Sequence, residues 1–225
     1  MFKFDVLVSW PRHLDFPLWR KLIHDNRNRF NKVIIVFTNM NTEGDYRQFI
    51  QDAMAKDSVI FTDSDQVPGR DWRDVAVNKG LLHSDSEWVW FTEQDFTPLD
   101  GFWDEVERNQ QMHYDAFGAA VETRLHPCCI FAKRSLIDST SKNFGVVADK
   151  LDHFGLFQSE IQNYTHIDPK TYHHMNGLSQ NLHMLQHGEE PNYLPSEFKE
   201  YCRKCLEMNS THPDFKELFE WYLSK

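Results

Sequence analysis

DWRDVAVNKGLLHSDSEWVWFTEQD, residues 71–95, couples a helix-like stretch to an apolar strand and ends on two carboxylates. Over Asp71–Ser84, Val75, Ala76, Gly80, Leu81 and Leu82 recur at one-turn spacing, which predicts a helix with one apolar face. Glu87–Phe91 is a short aromatic and β-branched run, which predicts a buried strand. The same alternation repeats upstream. Strands are expected over Asp5–Trp10, Lys32–Thr38 and Ser58–Thr62, and helices over Pro17–Asn28 and Tyr46–Ala55, the latter carrying Phe49, Ile50, Ala53 and Met54 on one face. Strand and helix in alternation with short connections imply parallel strands covered by helices on both faces. The fold class is therefore α/β, a single open, mostly parallel, Rossmann-like sheet flanked by helices.

Downstream the pattern is more mixed. Leu99–Gln111 reads as a helix opened by a Pro, with Phe102, Trp103 and Val106 on one face. Asp115–Val121 and Cys128–Ala132 read as strands. From Ser196 onward the chain is charged, amphipathic and helical, so the expected organisation is one domain over residues 1–190 with a helical extension over 191–225.

Composition supports a globule. Apolar residues make up 40% and aromatics 14% of the 225 residues, enough to bury a large core, which excludes disorder as the main state. The longest wholly aliphatic and aromatic run, Val33–Phe37, is far below the roughly 20 residues of a membrane span. MFKFDVLVSW places an Asp inside its apolar stretch and reads as a first strand rather than a signal peptide. Twenty-four Lys and Arg against 34 Asp and Glu give a net charge of −10, the wrong field for a protein that grips nucleic acid by its phosphates. One segment departs from this, since Arg12–Lys32 holds six cations and two Asp. It is either a solvated helix face or the neighbour of a phosphate-bearing substrate. Cys128 and Cys129 are adjacent and Cys202 and Cys205 form a lone CxxC, so the four cysteines make no disulfide framework and a reducing, cytoplasmic setting is expected.

In an open α/β sheet, ligands bind beyond the carboxyl ends of the strands. Those ends read Ser9-Trp10-Pro11-Arg12, Asn39-Met40-Asn41, Asp63-Ser64-Asp65 and Thr92-Glu93-Gln94-Asp95. Glu93 and Asp95, spaced i and i+2, point to the same side if the backbone stays extended. Mg²⁺ and Mn²⁺ favour one or two such carboxylates together with substrate phosphates. Arg70, Arg73 and Lys79 add cations on the approach to the same edge, where a diphosphate would sit.

The run Arg73, Ala76, Asn78, Gly80, then a strand, then acid-x-Asp, resembles the central part of GT-A glycosyltransferases, where an Arg-, Asn- and Gly-bearing helix precedes a strand ending in DxD. Here Glu93 replaces the first Asp, giving ExD. The resemblance spans roughly residues 5–187 as an order of elements. It implies hexosyl or pentosyl transfer from a nucleotide-diphosphate sugar, a UDP-sugar first among them, to a hydroxyl acceptor, with Mn²⁺ or Mg²⁺ as cofactor. It places Asp95 on the metal and Glu93 on metal, sugar or ribose. Ser9, Trp10 and Pro11 would wrap the nucleoside, Asn39 would face the base, and Asp63 and Asp65 would meet ribose or base. Arg70, Arg73, Asn78 and Lys79 complete the donor set. Asp152, with Glu160 next, falls where acceptor-side acids lie, including the base of inverting members. Within Tyr172–Gly177, His174, ahead of His173, would complete the metal shell. The region Arg124–Pro127 and the C-terminal helices would shape acceptor choice, and the net charge disfavours a modified nucleobase in DNA as acceptor.

Two other function classes share parts of this pattern. A nucleotidyltransferase also uses a cation and acids at strand ends, but usually with a Gly-rich loop after the first strand, and SWPRHLDFP has no Gly. A non-catalytic sugar- or protein-binding domain would keep the fold without turnover. His183 and His187, spaced i and i+4, form a possible zinc pair without the glutamate of HExxH or an obvious third ligand.

Overall fold

Strands buried on both faces belong in the middle of a layered sheet, and the first four apolar runs take that place. The structure, a computed structural model, describes residues 3–11, 14–38, 46–146, 154–191, 194 and 196–225. β1 (Phe4–Pro11), β2 (Phe30–Thr38), β3 (Val59–Asp63) and β4 (Trp88–Thr92) are mutually parallel, β1 lying between β2 and β4 and β3 outside β2. β6 (Ala116–Val121), β7 (Arg124–Lys133) and β8 (Tyr164–His166) extend the sheet to seven strands in the order β3-β2-β1-β4-β7-β6-β8. β7 runs antiparallel to both β4 and β6, so the tip of the β6–β7 hairpin reaches the edge where the parallel strands end. A mostly parallel α/β sheet is what the alternation predicts.

Alternation along β4 divides the core. Trp88 and Trp90 face one apolar cluster, and Val89 and Phe91 face the other. Trp90 stacks on Phe131 at 5.3 Å between ring centroids, and Phe131 stacks in turn on Phe117 at 4.8 Å. α1 (Pro17–Asp25), α4 (Phe102–Gln111), α8 (Phe198–Leu206) and α9 (Pro213–Leu223) bury side chains in the first cluster. α3 (Trp72–Leu81) packs on β1 and β2 on the other face. Gly80 permits that close approach, because a Cβ there would lie 2.7 Å from Leu7 Cδ1. Asp5, which breaks the apolar stretch of the N-terminus, is fully buried and accepts four hydrogen bonds from Ser84, Asp85 and Ser86, fastening the α3–β4 turn to β1.

Some expectations shift. The helix expected from Leu99 begins at Phe102, because Pro98 lies in β5 (Phe96–Pro98) and Gly101 takes φ +82° at the N-cap. β5 pairs antiparallel with β9 (Tyr172–His174) as a separate two-stranded ribbon. The cations of the Arg12–Lys32 segment prove structural where they are described. Arg20 pairs with buried Asp15, Lys21 with Asp25, Arg29 with Glu107 and Lys32 with Asp85, and Arg27 donates to backbone carbonyls. Cys202 and Cys205 sit buried on α8, and burial pushes the Cys202 thiol up to about 12, which fits core packing better than redox chemistry. No described helix is long and apolar enough to cross a membrane.

Candidate active site

β4 delivers its chain to the carboxyl edge of the sheet, and a turn comes at once. Phe96 N–H donates to Glu93 O, so Glu93 and Asp95 are brought together by a bend rather than by continued extension. Gln94 points back and donates from Nε2 to Ser9 O at 2.7 Å, tying the turn to the end of β1. The ribbon then sets the third member: Phe96 is paired with His174, and Met175 N–H donates to Asp95 O at 2.9 Å. His174 Nε2 thereby lies 3.3 Å from Asp95 and 3.5 Å from Glu93. His173, on the opposite side of the ribbon by strand alternation, does not join them.

Electrostatics in this cluster are steep. Burial disfavours the charged His174, yet Asp95 and Glu93 outweigh it and raise the imidazole to about 10. Burial likewise opposes ionisation of Glu93, but His174, Arg73 and His126 overcome it and hold the carboxyl at about 2. Asp95 goes the other way: burial and the neighbouring Glu93 charge raise it despite His174. Arg73 Nη1 reaches Glu93 at 3.2 Å while its guanidinium lies over the Trp72 ring at 5.0 Å.

The donor set suits a divalent cation. One ligand atom from each of Glu93, Asp95 and His174 falls within 4.8 Å of the others, and His174 Nε2 is buried without a well-formed hydrogen bond. Two carboxylates and an imidazole match Mn²⁺, with Mg²⁺ served by the oxygens. His126, on β7, holds its ring 4.6 Å from that of His174, while its Nδ1 accepts from Cys128 N–H at 3.1 Å. That bond engages Nδ1, and His126, Cys128 and His174 form a second described group of three metal-capable side chains.

A cleft of about 260 Å³ opens over the cluster, lined by Ser9, Trp72, Arg73, His126 and Gln180 among others. Asn176, Gly177 and Ser179 place the first turn of α7 (Leu178–Gln186) on its wall, and a helix N-terminus favours anions. A larger hollow of about 340 Å³ lies between α1 and the α8–α9 turn, but its Arg20 and Lys21 are already paired with Asp15 and Asp25.

Of the expected donor residues, Ser9, Arg73 and Glu93 meet at this cleft. The others fall elsewhere for physical reasons. Trp10 is wholly buried, donates from Nε1 to Leu14 O and packs edge-on against Phe16 and Trp19, so it is core and cannot wrap a nucleoside. α3 runs back from the carboxyl edge, which carries Asn78 and exposed Lys79 about one and a half turns away from Arg73. Asn78 Nδ2 is spent on Asp74 and on Lys142 O. Arg70 pairs with Asp74 outside the cleft. Asp63 is half-exposed and paired with Arg47 at 2.8 Å, and Asp65 is exposed; neither lines the cleft. Glu160 accepts from Ser141 N–H and Oγ, which occupies the carboxylate intended as a reserve base. Asn39, Arg12 and Asp152 lie outside the described residues. Sequence reasoning missed Gln94, Trp72 and the first turn of α7; Gly177 before Leu178 was the available signal for that helix start. His183 and His187 pack ring against ring at 4.5 Å, and no described group of three metal-capable side chains includes them.

The sheet order, the acid-bearing turn after β4 and the ribbon that brings His174 to it define a GT-A fold. No protein-family model and no curated protein matches the chain. Solved structures do. Mannosyltransferase PcManGT from Pyrobaculum calidifontis, solved with GDP-Man and Mn²⁺, is 12% identical, with 99% of this chain and 70% of that chain covered and a TM-score of 0.57. Glucosyl-3-phosphoglycerate synthase from Mycobacterium tuberculosis, with Mn²⁺, UDP and phosphoglyceric acid, is 12% identical over 81% and 74% of the two chains, TM-score 0.56. S. aureus TarS 1–349 in complex with UDP-GlcNAc is 14% identical over 99% and 72%, TM-score 0.53.

Proposed function

We propose that this chain is a divalent-metal-dependent glycosyltransferase using a nucleotide-diphosphate sugar and a hydroxyl acceptor. The observation that carries the reading is the convergence of Glu93, Asp95 and His174 at the carboxyl edge of the sheet. Similar structures hold GDP-Man, UDP or UDP-GlcNAc, two of them with Mn²⁺, which supports the same ligand class here. Asp95 and His174 would hold the cation, with Glu93 alongside. When bound, the cation offsets the negative charge that grows on the departing nucleoside diphosphate.

The chain's own groups supply the rest. Arg73 and the first turn of α7 present positive charge to the diphosphate from two sides. Ser9, at the end of β1, lines the same cleft and would meet the nucleoside. His126, on the wall of the same cleft, would add a polar contact to the bound donor. Asp152 remains our proposed base on the acceptor side. Release of free nucleotide from a panel of GDP- and UDP-sugars, with Mn²⁺, Mg²⁺ or a chelator, tests the reading. Metal-dependent release from at least one nucleotide sugar is expected. Release of pyrophosphate from a nucleoside triphosphate instead would establish nucleotidyl transfer, and tight binding without release would establish a binding domain.

A further inference from the structure

Among the described residues, two groups of three metal-capable side chains share one member, His174. The first, with Glu93 and Asp95, is the acidic site already described. The second joins His174 to His126 and Cys128, whose ligand atoms also lie within 4.8 Å of one another. His126 and Cys128 sit at i and i+2 on β7, so alternation sends both to one side of the strand. The bond from Cys128 N–H to His126 Nδ1 holds the ring beside the residue that carries the thiol, and the ring stands 4.6 Å from that of His174. Both imidazoles line the cleft, whereas Cys128 is buried in the apolar cluster that holds Trp90 and Phe96. An ion entering the cleft from solvent thus meets two rings, with a thiol closing the group from the core side.

The two donor sets select different ions. Two carboxylates and one imidazole suit Mn²⁺, whereas two imidazoles and a thiolate suit Zn²⁺. Zn²⁺ takes such a thiol as thiolate, and the thiol proton leaves to solvent. Bonds of about 2.0–2.3 Å to a shared ion set its ligand atoms roughly 3.5 Å apart, so a shift of about 1 Å closes this group. A neutral imidazole has a single lone-pair nitrogen, so His174 serves one ion at a time.

We propose that His126, Cys128 and His174 form an inhibitory Zn²⁺ site that competes with the Mn²⁺ of the acidic site for His174. The zinc site rests on this cluster alone, whereas the competition and the inhibition rest on the glycosyltransferase reading. Titration against a chromophoric chelator gives the Zn²⁺ affinity, the charge-transfer band of Co²⁺ reports a thiolate ligand, and water-proton relaxation follows displaced Mn²⁺. Under reducing conditions the wild type should bind Zn²⁺, show the band with Co²⁺, release Mn²⁺ on addition of Zn²⁺ and lose metal-dependent nucleotide release. Cys128→Ala and Cys128→Ser should each weaken Zn²⁺ by about 100-fold or more and abolish the band, since even the hydrogen-bond partner of a ligand is worth about 10–100-fold. Mn²⁺ affinity should stay unchanged in both, which also reports that they are folded, and Zn²⁺ inhibition should weaken in step with Zn²⁺ affinity. Cys202→Ser should keep the wild-type zinc affinity and band. Zn²⁺ that displaces Mn²⁺ equally well from the Cys128 variants sits on the carboxylates and overturns the proposal. A band that survives Cys128→Ala, or that vanishes with Cys202→Ser, overturns it too, as does simultaneous binding of both ions. A Cys128-dependent zinc site in a protein that binds no Mn²⁺ upholds the site and overturns the metal reading of Glu93 and Asp95, and with it the competition.

Discussion

Replacing Asp95 with Asn should change not only how tightly Mn²⁺ binds but how that binding depends on pH. Asp95 lies 3.3 Å from His174 Nε2 in a site where His174 is 15% and Asp95 9% exposed. At an effective dielectric of about 20, two unit charges at that distance attract by about 5 kcal/mol. At about 1.4 kcal/mol per pH unit, losing Asp95 should bring the His174 midpoint from about 10 down to about 6–7. A metal ligand must be deprotonated, so cation binding below the midpoint expels a proton and tightens about tenfold per pH unit. The wild type should therefore gain about 100-fold in Mn²⁺ affinity between pH 6.5 and 8.5. Asp95→Asn should be flat above pH 7 and weaker by at least tenfold at pH 8.5, because a charged ligand is gone. Water-proton relaxation gives the Mn²⁺ affinity, and ring-proton NMR titration of the metal-free protein gives the His174 midpoint. An unchanged pH slope in the variant, or a His174 midpoint that stays near 10, would disprove the coupling between the two groups.

The same geometry sets three further outcomes. Arg73→Ala should weaken a nucleoside diphosphate by about tenfold and flatten its salt dependence, while Lys79→Ala should leave calorimetric affinity unchanged, since Lys79 sits at the far end of α3. Trp10→Ala should cost about 3–5 kcal/mol of unfolding free energy in urea, with nucleotide affinity of the folded fraction intact, as befits a core side chain rather than a loop contact. In the metal-free protein, His174 is raised above its ordinary 6.5, so its stabilisation is full below pH 6.5 and fades as pH rises through about 10. Melting temperature should fall across that window, and Mn²⁺ should offset the fall.

The α/β class and the order of the first four strands and three helices were legible in the sequence, because two-sided burial writes continuous apolar runs and one-sided helices write a one-turn repeat. β1 to β4 each lie within two residues of their expected ends. The pair Glu93 and Asp95 was legible for the same reason: a buried strand has a recognisable end, and the residues just beyond that end meet the ligand edge. Which other side chains join that pair was decided by tertiary structure. β5 and β9 are three residues each, too short to carry a period, yet their pairing alone carries His174 to Asp95 across nearly eighty residues of chain. Trp10, Asn78 and Lys79 share the sequence neighbourhood of the site but not its space, because strand alternation turns the first into the core and the direction of α3 carries the others away.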